Sequence, residues 1–87
     1  MYYTYLARCS DKTLYCGYTD DLKMREKVHN SGKGAKYTRS RLPIKIVYYE
    51  SFETKSEALK REHEIKKLTK AKKEKLIDVQ KEELFKK

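Results

Sequence analysis

The sequence predicts an α+β fold: a three-stranded, mainly antiparallel sheet flanked by helices, in the order β-β-α-β-α-α. Three observations lead to it. Two β-rich runs, YYTYLAR (residues 2–8) and TLYCGYT (13–19), are separated by only Cys9-Ser10-Asp11-Lys12, which reads as a hairpin connection. A third run, IKIVYYESF (44–52), stands apart from them, behind a helical stretch and a glycine-containing loop. Two further helical patterns follow it, so strands and helices segregate along the chain rather than alternating. With 87 residues the chain is expected to form one domain, 1–87, whose core is small.

Each element has a local reason. Asp20-Asp21-Leu22 opens the first helix: Thr19 or Asp20 can cap it, and the early carboxylates suit the positive end of the helix dipole. It is expected to run to about Asn30, where Ser31-Gly32 stops it. Residues 32–42 (GKGAKYTRSRL) have no clear period and read as a loop ending at Pro43. The 44–52 run is nearly apolar on both faces, which suggests the middle of the sheet. Thr54-Lys55-Ser56-Glu57 is a capping box, so a helix starts there and continues through Leu68. A last helix, about 71–85, carries Leu76, Ile77, Leu84 and Phe85 on a lysine–glutamate surface.

Composition narrows the partners. Charged residues make up 40% of the chain and the net charge is +9, which favours an anionic partner, nucleic acid before a membrane surface. A lysine-rich coat that serves solubility alone is the competing explanation. No apolar run reaches the ~18–20 residues of a membrane span, and the N-terminus lacks the apolar stretch of a signal peptide. The expectation is a soluble, cytoplasmic protein with no membrane partner. Cys9 and Cys16 fit that placing as reduced thiols, and they cannot complete a four-ligand zinc site.

Four features break the structural pattern. With an even register sum in the hairpin, Tyr3, Tyr5 and Ala7 share a face with Thr13, Tyr15 and Gly17. Gly17 weakens a strand, so it implies close approach by a backbone or ligand. The two phenols beside it read either as a site or as core tyrosines next to a bulge. On the first helix Arg25 and His29 are four apart and project from one face. Such a pair can hold a phosphate and handle a proton, or can simply be two basic surface residues.

On the helix from Thr54, Ala58, Leu59, Ile65 and Leu68 define the buried stripe, and Glu62 falls among them at 100° per residue. A carboxylate there needs a cation: an arginine in an ion pair, or a metal. Finally, Lys33, Lys36, Arg39, Arg41 and Lys45 form an acid-free basic stretch, with Tyr37 interleaved as an aromatic platform beside a phosphate backbone. Lys66 to Lys73 holds five more lysines.

Taken in order, these residues resemble the GIY-YIG nuclease domain. Tyr3-Thr4-Tyr5 stands where that family has Gly-Ile-Tyr, and Tyr15-Cys16-Gly17 where it has Tyr-Ile-Gly. The likeness continues through Asp21-Leu22-x-x-Arg25, His29, the strand, and Ala58-Leu59-x-x-Glu62, covering residues 2 to about 75. The GKGAKYTRxRxP loop is similar to that of small, standalone bacterial members. The resemblance implies that Tyr5 and Tyr15 are the active-site tyrosines, one of them handling the proton of the attacking water. It implies that Arg25 contacts the scissile phosphate, that His29 assists proton transfer, and that Glu62 holds one Mg²⁺ or Mn²⁺. Gly17 would leave room for the substrate.

The chemistry is coherent, since phosphodiester hydrolysis needs an activated water, a positive contact for the growing charge, and a metal at the leaving oxygen. The expected function is a metal-dependent endonuclease on DNA, of low intrinsic sequence specificity, with Lys33, Lys36, Tyr37, Arg39 and Arg41 as the nucleic-acid contacts. With no appended domain to choose a sequence, a protein partner could supply specificity. The alternative from another class is a nucleic-acid-binding module on the same scaffold without catalysis.

Overall fold

The computed structural model describes residues 1–85, with the side chain of residue 85 outside the description, so the apolar contact expected of Phe85 falls outside the described residues. Strands β1 (Tyr2–Arg8) and β2 (Leu14–Thr19) form the expected hairpin, with Tyr5 opposite Gly17 and Ala7 opposite Tyr15. Lys12 takes a positive φ of 69° in the turn, and Asp11 accepts from the Thr13 backbone N–H and hydroxyl, which fixes the connection.

Helix α1 (Leu22–Val28) is capped by Asp21, whose carboxylate accepts from the Met24 N–H at 3.0 Å; Thr19 and Asp20 do not cap it. Thr19 instead exchanges hydrogen bonds with the Asp21 backbone, which leaves the Asp21 carboxylate aimed at the first turn. The helix widens into a π turn (His29–Lys33) that ends through Gly32 at φ +84°. Asn30 then pairs with both backbone groups of Ile44, tying this turn to the start of the next strand. Within the stretch expected to be loop, Lys36–Arg39 forms one helical turn, α2, too short to show a period in the sequence.

Strand β3 (Lys45–Phe52) pairs antiparallel with β1, giving the order β2-β1-β3. The central strand is therefore β1, and the expectation that 44–52 sits mid-sheet is corrected. Its near-continuous apolarity has another cause: Val47 and Tyr48 pack in the core on one face of the sheet and Ile44 and Ile46 in the cluster on the other. The Gln80 side chain donates to the Tyr49 carbonyl at 2.8 Å and accepts from its N–H at 3.3 Å, standing in for a neighbouring strand.

Helices α3 (Lys55–Lys66) and α4 (Lys70–Phe85) cover one face of the sheet. Thr54 caps α3 by accepting from the Glu57 N–H, as the capping box predicts. Leu6, Cys16, Tyr48, Ile65 and Ile77 make the core on this face. On the other face, under α1 and the π turn, Tyr5, Ala7, Cys9 and Ile44 form a second cluster. Both cysteines are free thiols. No helix among the described residues is long and apolar enough to cross a membrane.

Candidate active site

Alternation along β1 and β2 sends Tyr5, Tyr15 and Gly17 to the α1 face, where the i, i+4 spacing on α1 and its π turn delivers Arg25 and His29. The Tyr5 hydroxyl meets His29 Nε2 at 2.9 Å, and His29 Nδ1 meets the Thr38 hydroxyl at 2.8 Å. The Thr38 hydroxyl in turn donates to the Ala35 carbonyl at 2.9 Å. All three side chains are sealed: Tyr5 is 1% exposed, His29 and Thr38 not at all. Tyr15 is half-buried, with its ring 5.4 Å from the imidazole in an edge contact and 6.4 Å from the Tyr5 ring. Of the two phenols, only Tyr15 is open to solvent.

The electrostatics follow from that burial. Loss of solvent pushes the Tyr5 phenol up to about 12, and the Arg25 guanidinium is near enough to pull it partway back. His29 is held below its usual value, first by burial and then by the positive charge of Arg25, so it is neutral at pH 7 and able to accept a proton. Arg25 has no acidic partner among the described residues. A half-buried guanidinium without a carboxylate among the described residues, close to the Tyr5 phenol and a neutral imidazole, is arranged for an anion that comes from outside.

The two glycines of the site have different roles. A Cβ on Gly17 would stand 2.5 Å from the Tyr5 hydroxyl oxygen and 2.6 Å from the ring carbon that bears it. The room left by Gly17 is thus filled by the Tyr5 phenol, which corrects the expectation that the substrate occupies it. Gly34 does the same for the imidazole: a Cβ there would run into the His29 ring and lie 2.8 Å from its Cα.

Glu62 lies apart from this group. It is carried by α3 on the other face of the sheet, where its backbone carbonyl faces Cys16 Sγ at 3.8 Å. No hydrogen bond joins it to either tyrosine among the described residues. Its side chain is 19% exposed and its nearest cation is Lys66 Nζ at 3.6 Å, so the arginine pair considered for it is not formed; Arg61 bonds Glu50 and Glu64 instead. The stripe is narrower than the sequence suggests, with Leu59 40% exposed, and Glu62 sits at its rim.

Among the described residues no three His, Cys, Asp or Glu side chains cluster as a metal cage. One accessible carboxylate fits only a hard cation that brings most of its own oxygen ligands, as Mg²⁺ does. The Cys16 thiol between Glu62 and the sheet is pushed up to about 11 by burial and by the Glu62 charge, which removes it as a nucleophile at neutral pH.

The basic stretch also divides. Lys33, Lys36 and Arg39 are exposed and have no acidic partner among the described residues. Arg41 is different: its guanidinium pairs with Asp11 at 3.0 Å, donates to the Tyr37 carbonyl at 2.8 Å, and lies 4.0 Å from the centre of the Tyr37 ring. The Tyr37 ring is also near-parallel to Tyr15 at 6.0 Å. Arg41 therefore clamps the loop to the β1–β2 hairpin, and it is corrected from a free phosphate contact to a brace for Tyr37 and Tyr15.

Thr38 and Gly34 escaped the sequence reading. The available signal was a run of small residues, GKGA, with a threonine three positions beyond it and nine after His29. Leu14, Tyr15, Cys16, Tyr37, Lys66 and Lys73 line a cleft of about 340 Å³ at the β2 edge, which connects the open phenol to the lysines of α3 and α4.

The family model described as the GIY-YIG catalytic domain matches residues 1–75. A UPF0213 protein of Staphylococcus aureus is 54% identical over 76 residues, covering 87% of this chain and 93% of its own length. One from Haloquadratum walsbyi is 52% identical over 77 residues, covering 88% and 86%. The solution NMR structure of the UPF0213 protein from Bacillus halodurans is similar in fold, with a TM-score of 0.57 at 46% identity over 91% of this chain and 85% of that one.

Proposed function

This chain belongs to the GIY-YIG family, and on that footing we propose that it is a metal-dependent endonuclease that hydrolyses phosphodiester bonds of DNA with little intrinsic sequence specificity. The observation that carries the proposal is the Arg25 guanidinium, without an acidic partner among the described residues, beside a phenol already bonded to a neutral histidine. Arg25 would bind a non-bridging oxygen of the scissile phosphate and gain strength as that oxygen takes on charge. Tyr15, the open phenol, would touch the water or the phosphate. Once substrate binding admits the attacking water to Tyr5 Oη, that water's proton would pass to Tyr5 as the Tyr5 proton leaves for His29 Nε2, leaving hydroxide to attack phosphorus and avoiding charge on a phenolate whose pKa is pushed up to about 12.

Glu62 contacts Cys16 and Lys66, which line the same cleft as Tyr15; from that edge it would hold Mg²⁺ or Mn²⁺, which supplies Lewis-acid stabilisation of the leaving oxygen when bound. Lys33, Lys36 and Arg39 would follow the phosphate backbone, so binding should weaken steeply with salt and be indifferent to sequence. Specificity would then come from a partner protein.

Cleavage assays with Mg²⁺ on duplex, branched and single-stranded DNA and on RNA test the reading. Tyr5→Phe, Tyr15→Phe and Arg25→Lys should each cut the rate about 100-fold or more with binding near wild type, the signature of a contact made in the transition state. Tyr2→Phe is the control, since Tyr2 stacks on Tyr18 on the opposite face. If the wild type binds these nucleic acids but cleaves none, the chain is a binding module and the hydrolytic reading falls.

A further inference from the structure

Lys33, Lys36 and Tyr37 are expected to face nucleic acid, yet the interior atoms of the segment that carries them face His29. Gly32 turns the chain at φ +84°, Gly34 admits the imidazole where a Cβ would collide, and Ala35 and Thr38 close the hydrogen-bond chain. Which way the protons point in this chain decides what Tyr5 can do, and both ends of it give the same answer.

At the outer end, the Ala35 carbonyl can only accept, so the single Thr38 hydroxyl proton lies in the bond to Ala35. The Thr38 oxygen is then an acceptor toward His29, and Nδ1 must carry a proton. At the inner end, the Tyr5 hydroxyl is sealed from water and needs an acceptor. Arg25 has only donors to offer it, whereas Nε2 of a neutral Nδ1–H imidazole is an acceptor at 2.9 Å.

We infer that Thr38 is a positioning residue that fixes His29 as its Nδ1–H tautomer, so that Tyr5 is held as a donor into Nε2 with its oxygen lone pairs left toward Arg25. The opposite tautomer would place a proton on Nε2, aim it at the Tyr5 oxygen, and block transfer from Tyr5 to the ring. No charge is created by the arrangement; the loop sets only the direction in which one proton can move. That this direction serves phosphodiester hydrolysis rests on the nuclease reading; the tautomer itself does not.

Long-range ¹H–¹⁵N correlation spectra of the histidine rings read the tautomer directly, without any substrate. In the wild type between pH 7 and 8, His29 should show a protonated Nδ1 and an unprotonated Nε2. Thr38→Val keeps the side-chain shape and removes the acceptor, so the two nitrogen shifts should move toward each other as the Nε2–H form gains population. Thr38→Ser should restore the wild-type pattern. Cleavage, where the wild type cleaves, should fall about 10-fold or more in kcat for Thr38→Val with KM little changed, and recover in Thr38→Ser.

A wild-type spectrum with the proton on Nε2 overturns the inference, and so does a Thr38→Val spectrum identical to wild type. Should Thr38→Val fail to fold, the wild-type spectrum and Thr38→Ser still decide. If the tautomer follows Thr38 but no nucleic acid is cleaved, the inference stands and the nuclease reading fails; if cleavage is normal and the tautomer ignores Thr38, the reverse holds.

Discussion

Behind one face of the sheet lie Leu6, Tyr48, Ile65 and Ile77, held by hydrocarbon contact; before the other lie Tyr5, His29 and Thr38, held by a line of hydrogen bonds. Charge on the first face is kept to its rim, in the paired contacts of Arg8 with Glu74 and of Arg61 with Glu50. On the first, Thr4 is fully buried by itself and donates to the Ala58 carbonyl, whereas on the second Tyr5, His29 and Thr38 are buried in series, each with a partner among the described residues. Apolar contact is non-directional and tolerates small shifts, whereas a buried polar chain is stable only when each donor meets its acceptor. The difference teaches where this small protein can afford rearrangement: the helix-packed face sets stability, and the α1 face sets geometry.

The comparison breaks most visibly under core truncation. Ile65→Ala should destabilise the fold by about 2–5 kcal/mol in urea melts, because a fully buried side chain leaves a cavity. The His29 nitrogen shifts should nevertheless keep their wild-type pattern in the folded fraction. Tyr5→Phe should do the reverse, with a loss of only about 1–3 kcal/mol from the orphaned Nε2 and altered His29 shifts. If both variants changed both readouts equally, the two faces would not be separable.

Acid sharpens it next. His29 is depressed in the folded state, so the unfolded chain protonates first, from about pH 6.5 downward. Stability from this group is complete above that value and is lost as pH falls through the lower folded pKa. Asp11 and Glu74 are also lowered, but as carboxylates they lose their contribution only below their ordinary values near pH 4. The window from about 6.5 to 4.5 should therefore report on the α1 face: the melting temperature should fall across it in the wild type and stay level in His29→Gln. A level wild-type profile would contradict the buried neutral imidazole. Activity should be lost over the same descent, since an imidazolium cannot accept from Tyr5.

The smallest effect belongs to the rim. Glu62→Gln removes an ion pair at 3.6 Å to a lysine that is largely in solvent, so stability should change by less than about 1 kcal/mol. Mg²⁺-induced NMR shifts around residue 62 should disappear. A loss of about 3–5 kcal/mol would instead mark Glu62 as half of a structural pair, and unchanged metal shifts would move the cation elsewhere.

Much of this molecule is set by short-range rules and was legible without coordinates. Period-2 alternation places Tyr5, Tyr15 and Gly17 on one face once the hairpin exists, and 3.6 residues per turn bring Arg25 beneath His29. The Thr54 cap and the bounds of most elements follow from local chemistry in the same way. What only the tertiary structure decides are pairings across sequence distances that no period spans. Arg41 looked free because its partner, Asp11, is thirty residues away across the hairpin. The 44–52 strand looked central because both its faces are packed, and apolarity reports the faces of a strand but not which neighbours its edges pair with. Glu62 looked buried because helical angle fixes a direction but not how closely the sheet packs against it. The His29 socket depends on the π turn and Gly32 folding Thr38 back by nine positions, and the proton's direction is decided there because a buried hydrogen bond needs its partner at 2.8 Å, a distance that only packing sets.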